Sequence, residues 1–179
     1  MPTLTLRFRN RADAHAQLIL VREDGSFSVG DIGPQSGYGP AHDLAHYVVE
    51  STFGLCEGFL GLVASGWDIK DFEVKGASKL LPPEALFAES AAGQLSNEHM
   101  MGQPSTAEEF NWSMGATVSR MGRRDYEPPT IDAERLEAIR ARLVELHTEW
   151  FTVPPGGTLE LEFRSTRRAA CARPVPSGR

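Results

Sequence analysis

The heptapeptide TLTLRFR at residues 3–9 alternates apolar and polar side chains without interruption. The same alternation returns near the other end of the chain, where residues 158–164 read TLELEFR. Successive side chains of a β-strand point to opposite faces, so each stretch predicts a strand with one buried face. Two strands of such similar pattern predict that the ends of the domain join the same sheet.

Two further strands are predicted between these ends. Residues 15–23 and 26–30 flank the dipeptide Asp24-Gly25, and this pair suits the positive φ angles of a tight hairpin turn. The first three strands therefore form an antiparallel meander, and residues 158–164 supply a fourth strand.

Helical patterns fill the middle of the chain. One helix is predicted to begin at Pro40, with Gly39 as its cap, and to end at Gly54. Four more helices are predicted. A continuous apolar segment indicates one at 55–64, and a proline start indicates one at 83–100. A capping box begins one at 106–124, and apolar residues spaced by three and four indicate one at 136–150.

The elements together predict an α+β fold, in which an antiparallel sheet of about four strands packs on four to five helices. At 179 residues with 41 % hydrophobic residues, the chain has the size of one domain. We expect that domain to span 1–165. We expect 166–179 to form a basic, disordered tail, because this end holds arginines and prolines and no acid.

Composition excludes several classes of function. The net charge is -6, and the body is more acidic than the whole because the tail is basic, so no nucleic-acid partner is expected. The sequence contains no apolar run near 18 residues and no basic segment followed by a hydrophobic one at the N-terminus, so neither a membrane span nor a targeting signal is predicted. The sequence predicts a soluble, cytoplasmic protein.

Recognisable chemistry lies in the stretch HDLAHYVVE at residues 42–50. His42 and His46 are four residues apart, which places them on one face of a helix about 6 Å from each other. Two neutral imidazoles so arranged can bind one divalent metal, with zinc as the first candidate. The pair therefore predicts a metal site on the first helix.

A third ligand is needed, and the sequence leaves its identity open. Eight residues of helix advance about 12 Å, so Glu50 lies too far along a straight helix to share a metal with His42. Asp43 in the same turn, Glu57 after the Gly54 turn, or His99 from a later helix could complete the shell. Glu50 is predicted instead to act as a catalytic base or as an acceptor that orients a ligand.

Two resemblances rest on these residues. His42-Asp43-x-x-His46 followed by Glu57 resembles the HDxxH zinc motif of a coenzyme Q biosynthesis protein, although ten residues separate His46 from Glu57 here and eleven do so in that family. The pattern HDLxHYxVE at 42–50 followed by GWDI at 66–69 resembles a group of uncharacterised bacterial proteins. The second resemblance implies a bacterial, cytosolic origin and names no activity.

Two functions follow as hypotheses. The first is a metal-dependent hydrolase or lyase that acts on an unidentified small molecule. The second is a non-catalytic binding module, or one that forms a homodimer, in which His42 and His46 are structural. Burial of both histidines against main-chain groups, with no cleft beside them, would favour the second. His15 and His147 are predicted to be ordinary exposed histidines.

Overall fold

The computed structural model describes residues 3–13, 15–123 and 125–164. Four strands within these ranges form one antiparallel sheet in the order β3-β2-β1-β4. They are β1 Thr3–Asn10, β2 His15–Arg22, β3 Phe27–Pro34 and β4 Thr158–Arg164. The predicted pairing of the two ends is confirmed, since β1 lies directly beside β4. The predicted tail, 166–179, lies outside the described residues.

The strand register places the alternating leucines in one buried row. Leu6 of β1 lies opposite Leu20 on one side and opposite Leu161 on the other. All three are buried, whereas Arg7, which points to the other face, is exposed. One face of the sheet therefore carries the core, as the period-2 pattern requires.

The helices form a second layer on that face. They are α1 Tyr38–Phe53, α2 Phe59–Ala64, α3 Ala77–Leu80, α4 Pro83–Met101, α5 Ala107–Arg120 and α6 Ala133–Thr152. Helix α1 packs against α4, α6 and β3, so it lies at the centre of the layer. The predicted α+β fold is confirmed. None of the helices in the described ranges combines the length and hydrophobicity that crossing a bilayer requires.

The segment after α1 differs from its prediction. The sequence predicts a helix over 55–64, but α2 begins at Phe59. Gly54 adopts a left-handed conformation with φ 65° and ends α1, and Gly58 is extended before α2 starts. The three residues between these glycines turn the chain back onto α1. Residues 67–79 contain a 3-10 turn at Ile69–Phe72 and the start of α3.

The prediction that His147 is exposed is wrong. His147 is 5 % exposed, and its ring centroid lies 4.1 Å from that of His99. It extends the buried stripe of α6 because it follows Leu143 by four residues, which is one helical turn. His15, by contrast, is exposed as predicted.

Candidate metal centre

Helix α1 places His42, His46 and Glu50 along one edge, one turn apart. Nε2 of His46 lies 3.2 Å from Nε2 of His42, and Nδ1 of His46 lies 3.1 Å from Oε1 of Glu50. The three side chains therefore form a connected row, as residues separated by four positions should. His46 stands at its centre and is 3 % exposed.

Glu89 of α4 completes the group. Its Oε1 lies 3.4 Å from Nε2 of His42, and its Oε2 lies 3.1 Å from Nε2 of His46. Ligands 2.0–2.1 Å from a tetrahedral ion are about 3.3 Å from each other. The Nε2 atoms of the two histidines are 3.2 Å apart, and when Glu89 contributes one oxygen the three ligand atoms all lie within 4.8 Å of one another. His42, His46 and Glu89 therefore form a group that could hold a metal ion.

Glu50 lies behind the histidines and has no exposed surface. Its Oε2 accepts hydrogen bonds from the backbone N–H groups of Leu60 at 3.0 Å and Gly61 at 3.3 Å. A Cβ atom at Gly58 would collide with this carboxylate, so the glycine permits the close approach. Glu50 is thus fixed by the first turn of α2 and can hold the ring of His46 in one orientation.

Tyr38 gives His42 a comparable support. The tyrosine hydroxyl lies 3.3 Å from Nδ1 of His42, and the two rings stack with their centroids 5.3 Å apart. Each histidine therefore engages its Nδ1 in a hydrogen bond and turns its Nε2 toward Glu89. This is the arrangement in which the partner of one ring nitrogen prepares the other nitrogen for a metal.

The charges within the group are complementary. Burial alone would lower the pKa of His46, but the hydrogen bonds to Glu50 and Glu89 outweigh it and raise that pKa to about 10. The hydrogen bonds to His42 and His46 in turn hold the pKa of Glu89 well below its usual range. The two carboxylates thus stabilise a positive charge at His46, which a proton supplies in the metal-free protein and which a metal ion would have to replace.

A cleft of about 420 Å³ opens beside the group and includes all three of its residues in the wall. The side chain of Glu89 is 62 % exposed, whereas those of His42 and His46 are 17 % and 4 % exposed. The histidines are therefore at the base and the carboxylate is at the open side. A cleft of this size accommodates a small molecule.

Asp43 lines the same cleft but is not part of the three-residue group. Burial raises the pKa of Asp43 to about 6, and the charges of His46 and His42 oppose that rise. Within the described part of the chain, its carboxylate makes no hydrogen bond or ion pair. Asp43 is therefore available to a molecule bound in the cleft.

Glu57 and His99, the other predicted ligands, are not brought to this group. The backbone N–H of Glu57 donates to Glu84 at 2.5 Å, and His99 stacks on His147. The metal-compatible group found among the described residues contains neither.

The third member of this group is Glu89, which the sequence does not single out. The sequence offers one indication. Glu89 lies on α4 near Ala85, Ala88 and Ala92, and such small buried residues let α4 approach α1 closely.

Comparison with known proteins adds no relative: no family model, curated protein or solved structure matches the chain. The two resemblances drawn from the sequence stay predictions.

Proposed function

We propose that the protein is a metal-dependent hydrolase or lyase in which His42, His46 and Glu89 hold a divalent ion, with zinc as the first candidate. The observation that carries this proposal is the meeting of three ligand atoms at the wall of an open cleft. Catalytic zinc sites characteristically use three protein ligands and leave a position for water or substrate. Two histidines and one glutamate are one such ligand set.

The bound ion would supply a Lewis acid and lower the pKa of a coordinated water. The protein side chains would do the rest. Glu50 and Tyr38 would orient His46 and His42 through the Nδ1 atoms. Asp43 would accept or return a proton at the substrate, since it lines the cleft and Glu50 does not. We therefore assign Glu50 to positioning rather than to the role of catalytic base.

The alternative, in which the histidines are only structural, has less support. His46 is buried, but both of its ring nitrogens contact carboxylates rather than main-chain groups. A cleft lies directly beside the pair. A purely structural pair has no need of an open carboxylate on its solvent side.

Zinc titration of metal-free protein purified without a histidine tag tests the metal site. We expect one zinc per chain, with binding lost in the His42→Ala, His46→Ala double variant and strongly weakened in Glu89→Gln. Glu149→Gln is the matched control, because Glu149 is an exposed glutamate on α6 that does not line the cleft. Equal affinity of Glu89→Gln and wild type would refute the assignment of the third ligand.

Catalysis is tested separately on chromogenic ester, amide and β-elimination substrates. Turnover that requires zinc and disappears in Glu89→Gln would support an enzyme. Stoichiometric zinc binding without turnover of any of these classes would instead indicate a metal-binding protein.

A further inference from the structure

The cleft beside the candidate metal centre is apolar along most of its wall. Side chains from four parts of the fold contribute: Leu18 and Ile32 from the sheet, Phe59 from α2, Ile69 and Phe72 from the 3-10 turn, and Leu86 from α4. A molecule that fills this space buries an apolar body against these side chains.

The charged groups that line the cleft, apart from the histidines, are all carboxylates. They are Asp31, Asp43, Glu73 and Glu89. Among the described residues, no lysine or arginine belongs to the wall. Sites for phosphate or carboxylate ligands depend on such cations, on converging N–H groups or on a metal ion, so the part of this cleft away from the candidate metal centre is poorly suited to an anion.

The negative charges of these carboxylates are balanced to different degrees by nearby positive groups. Glu89 faces the two histidines, and Asp31 lies 3.8 Å from Arg11 and 3.4 Å from His15. Glu73 is exposed at the end of the 3-10 turn and makes no ion pair within the described ranges.

The outer part of the cleft therefore carries negative charge that the protein does not neutralise. Glu73 contributes most of this charge, and Asp31 contributes less because Arg11 and His15 lie near it. A positive group on a ligand would be attracted there, and a negative one would be repelled.

We infer that the substrate is a small molecule with an apolar body and an amine end, which is protonated and points toward Glu73 and Asp31 while the reacting group faces His42, His46 and Glu89. This inference rests on the proposed function and adds the substrate class. The same charges disfavour a phosphate or carboxylate at that outer end of the substrate.

Three alkyl hydroxamates of equal chain length test the inference. Each binds zinc through its hydroxamate, and the far ends carry an ammonium, a methyl or a carboxylate group. On zinc-loaded protein at low salt, we expect the ammonium compound to bind about tenfold more tightly than the carboxylate compound, with the methyl compound between them. Added salt should reduce this ratio, because it screens the charges at the opening.

Two charge-neutralising variants locate the effect. Glu73→Gln, and to a smaller extent Asp31→Asn, should reduce the ratio between the ammonium and carboxylate compounds, while Glu149→Gln should leave it unchanged. Equal affinity for the ammonium and carboxylate compounds, or a ratio that neither Glu73→Gln nor Asp31→Asn changes, would overturn the inference and leave the proposed function intact. Failure of the wild type to bind zinc would overturn both.

Discussion

Oε1 of Glu50 lies 3.1 Å from Nδ1 of His46, and the carboxylate that makes this contact is fully buried. The same carboxylate accepts hydrogen bonds from two backbone N–H groups of α2. One side chain thus joins the metal-compatible edge of α1 to the start of the next helix. The position of His46 therefore depends on the chain turn between Gly54 and Phe59.

Glu50→Gln should weaken zinc binding by about tenfold or more, the usual effect of losing an acceptor behind a metal-bound histidine. The amide is neutral and presents one acceptor oxygen instead of two. Calorimetric titration measures the affinity, and the stoichiometry should stay at one. Unchanged affinity would contradict the positioning role of Glu50.

Gly58→Ala should disturb the same contact from the other side. The added methyl group would meet the Glu50 carboxylate, so we expect weaker zinc binding and a lower melting temperature. Gly115→Ala is the matched control, because a Cβ at this helical position meets nothing within 4 Å and alanine favours a helix over glycine. The idea fails if both variants behave alike.

Tyr38→Phe should have a smaller effect than Glu50→Gln. It removes the hydroxyl that lies 3.3 Å from Nδ1 of His42 but keeps an aromatic ring for stacking. Zinc affinity should fall by a factor of a few, within the roughly 1 kcal/mol that a neutral hydrogen bond contributes. A loss as large as that of Glu50→Gln would show that the two supports are equivalent.

The sequence predicts those features that depend on local periodicity. The alternation at residues 3–9 and 158–164 gives two strands, and the four-residue spacing places His42, His46 and Glu50 on one edge. The helical rise also separates Glu50 from the metal position, and Glu50 does contact the far nitrogen of His46.

Glu89 could not be selected from the sequence. It lies 43 residues from His46, and only the packing of α1 on α4 brings the two together. Glu84 and Glu98 on the same helix have the same side chain, yet Glu84 accepts a hydrogen bond from the backbone N–H of Cys56 and Glu98 pairs with Arg140. His147 is a different case, because its place four residues after Leu143 does indicate the buried stripe of α6, and its polar side chain does not exclude burial.

His147 predicts the behaviour of the protein in acid. Burial, and then the charge of nearby His99, lowers the pKa of His147 from 6.5 to about 4, and within the described residues neither ring nitrogen has a hydrogen-bond partner. The unfolded chain binds this proton below pH 6.5 and the folded chain only below about pH 4. The melting temperature should therefore fall as the pH drops through this range.

His147→Leu should reduce that pH dependence and raise the free energy of unfolding by about 1–3 kcal/mol, because it removes buried polar atoms without partners. Val144→Leu, at an exposed position of the same helix that carries no titratable group, should leave the pH profile unchanged. Denaturant unfolding at several pH values measures both effects. An identical pH profile for His147→Leu and wild type would contradict this account.

The most direct test of the metal centre is a crystal structure of the zinc-loaded protein with anomalous scattering recorded at the zinc edge. The account predicts one ion about 2.0–2.2 Å from Nε2 of His42, Nε2 of His46 and a carboxylate oxygen of Glu89. An ion bound instead through Glu57 or His99, or no ion at His42 and His46, would contradict it.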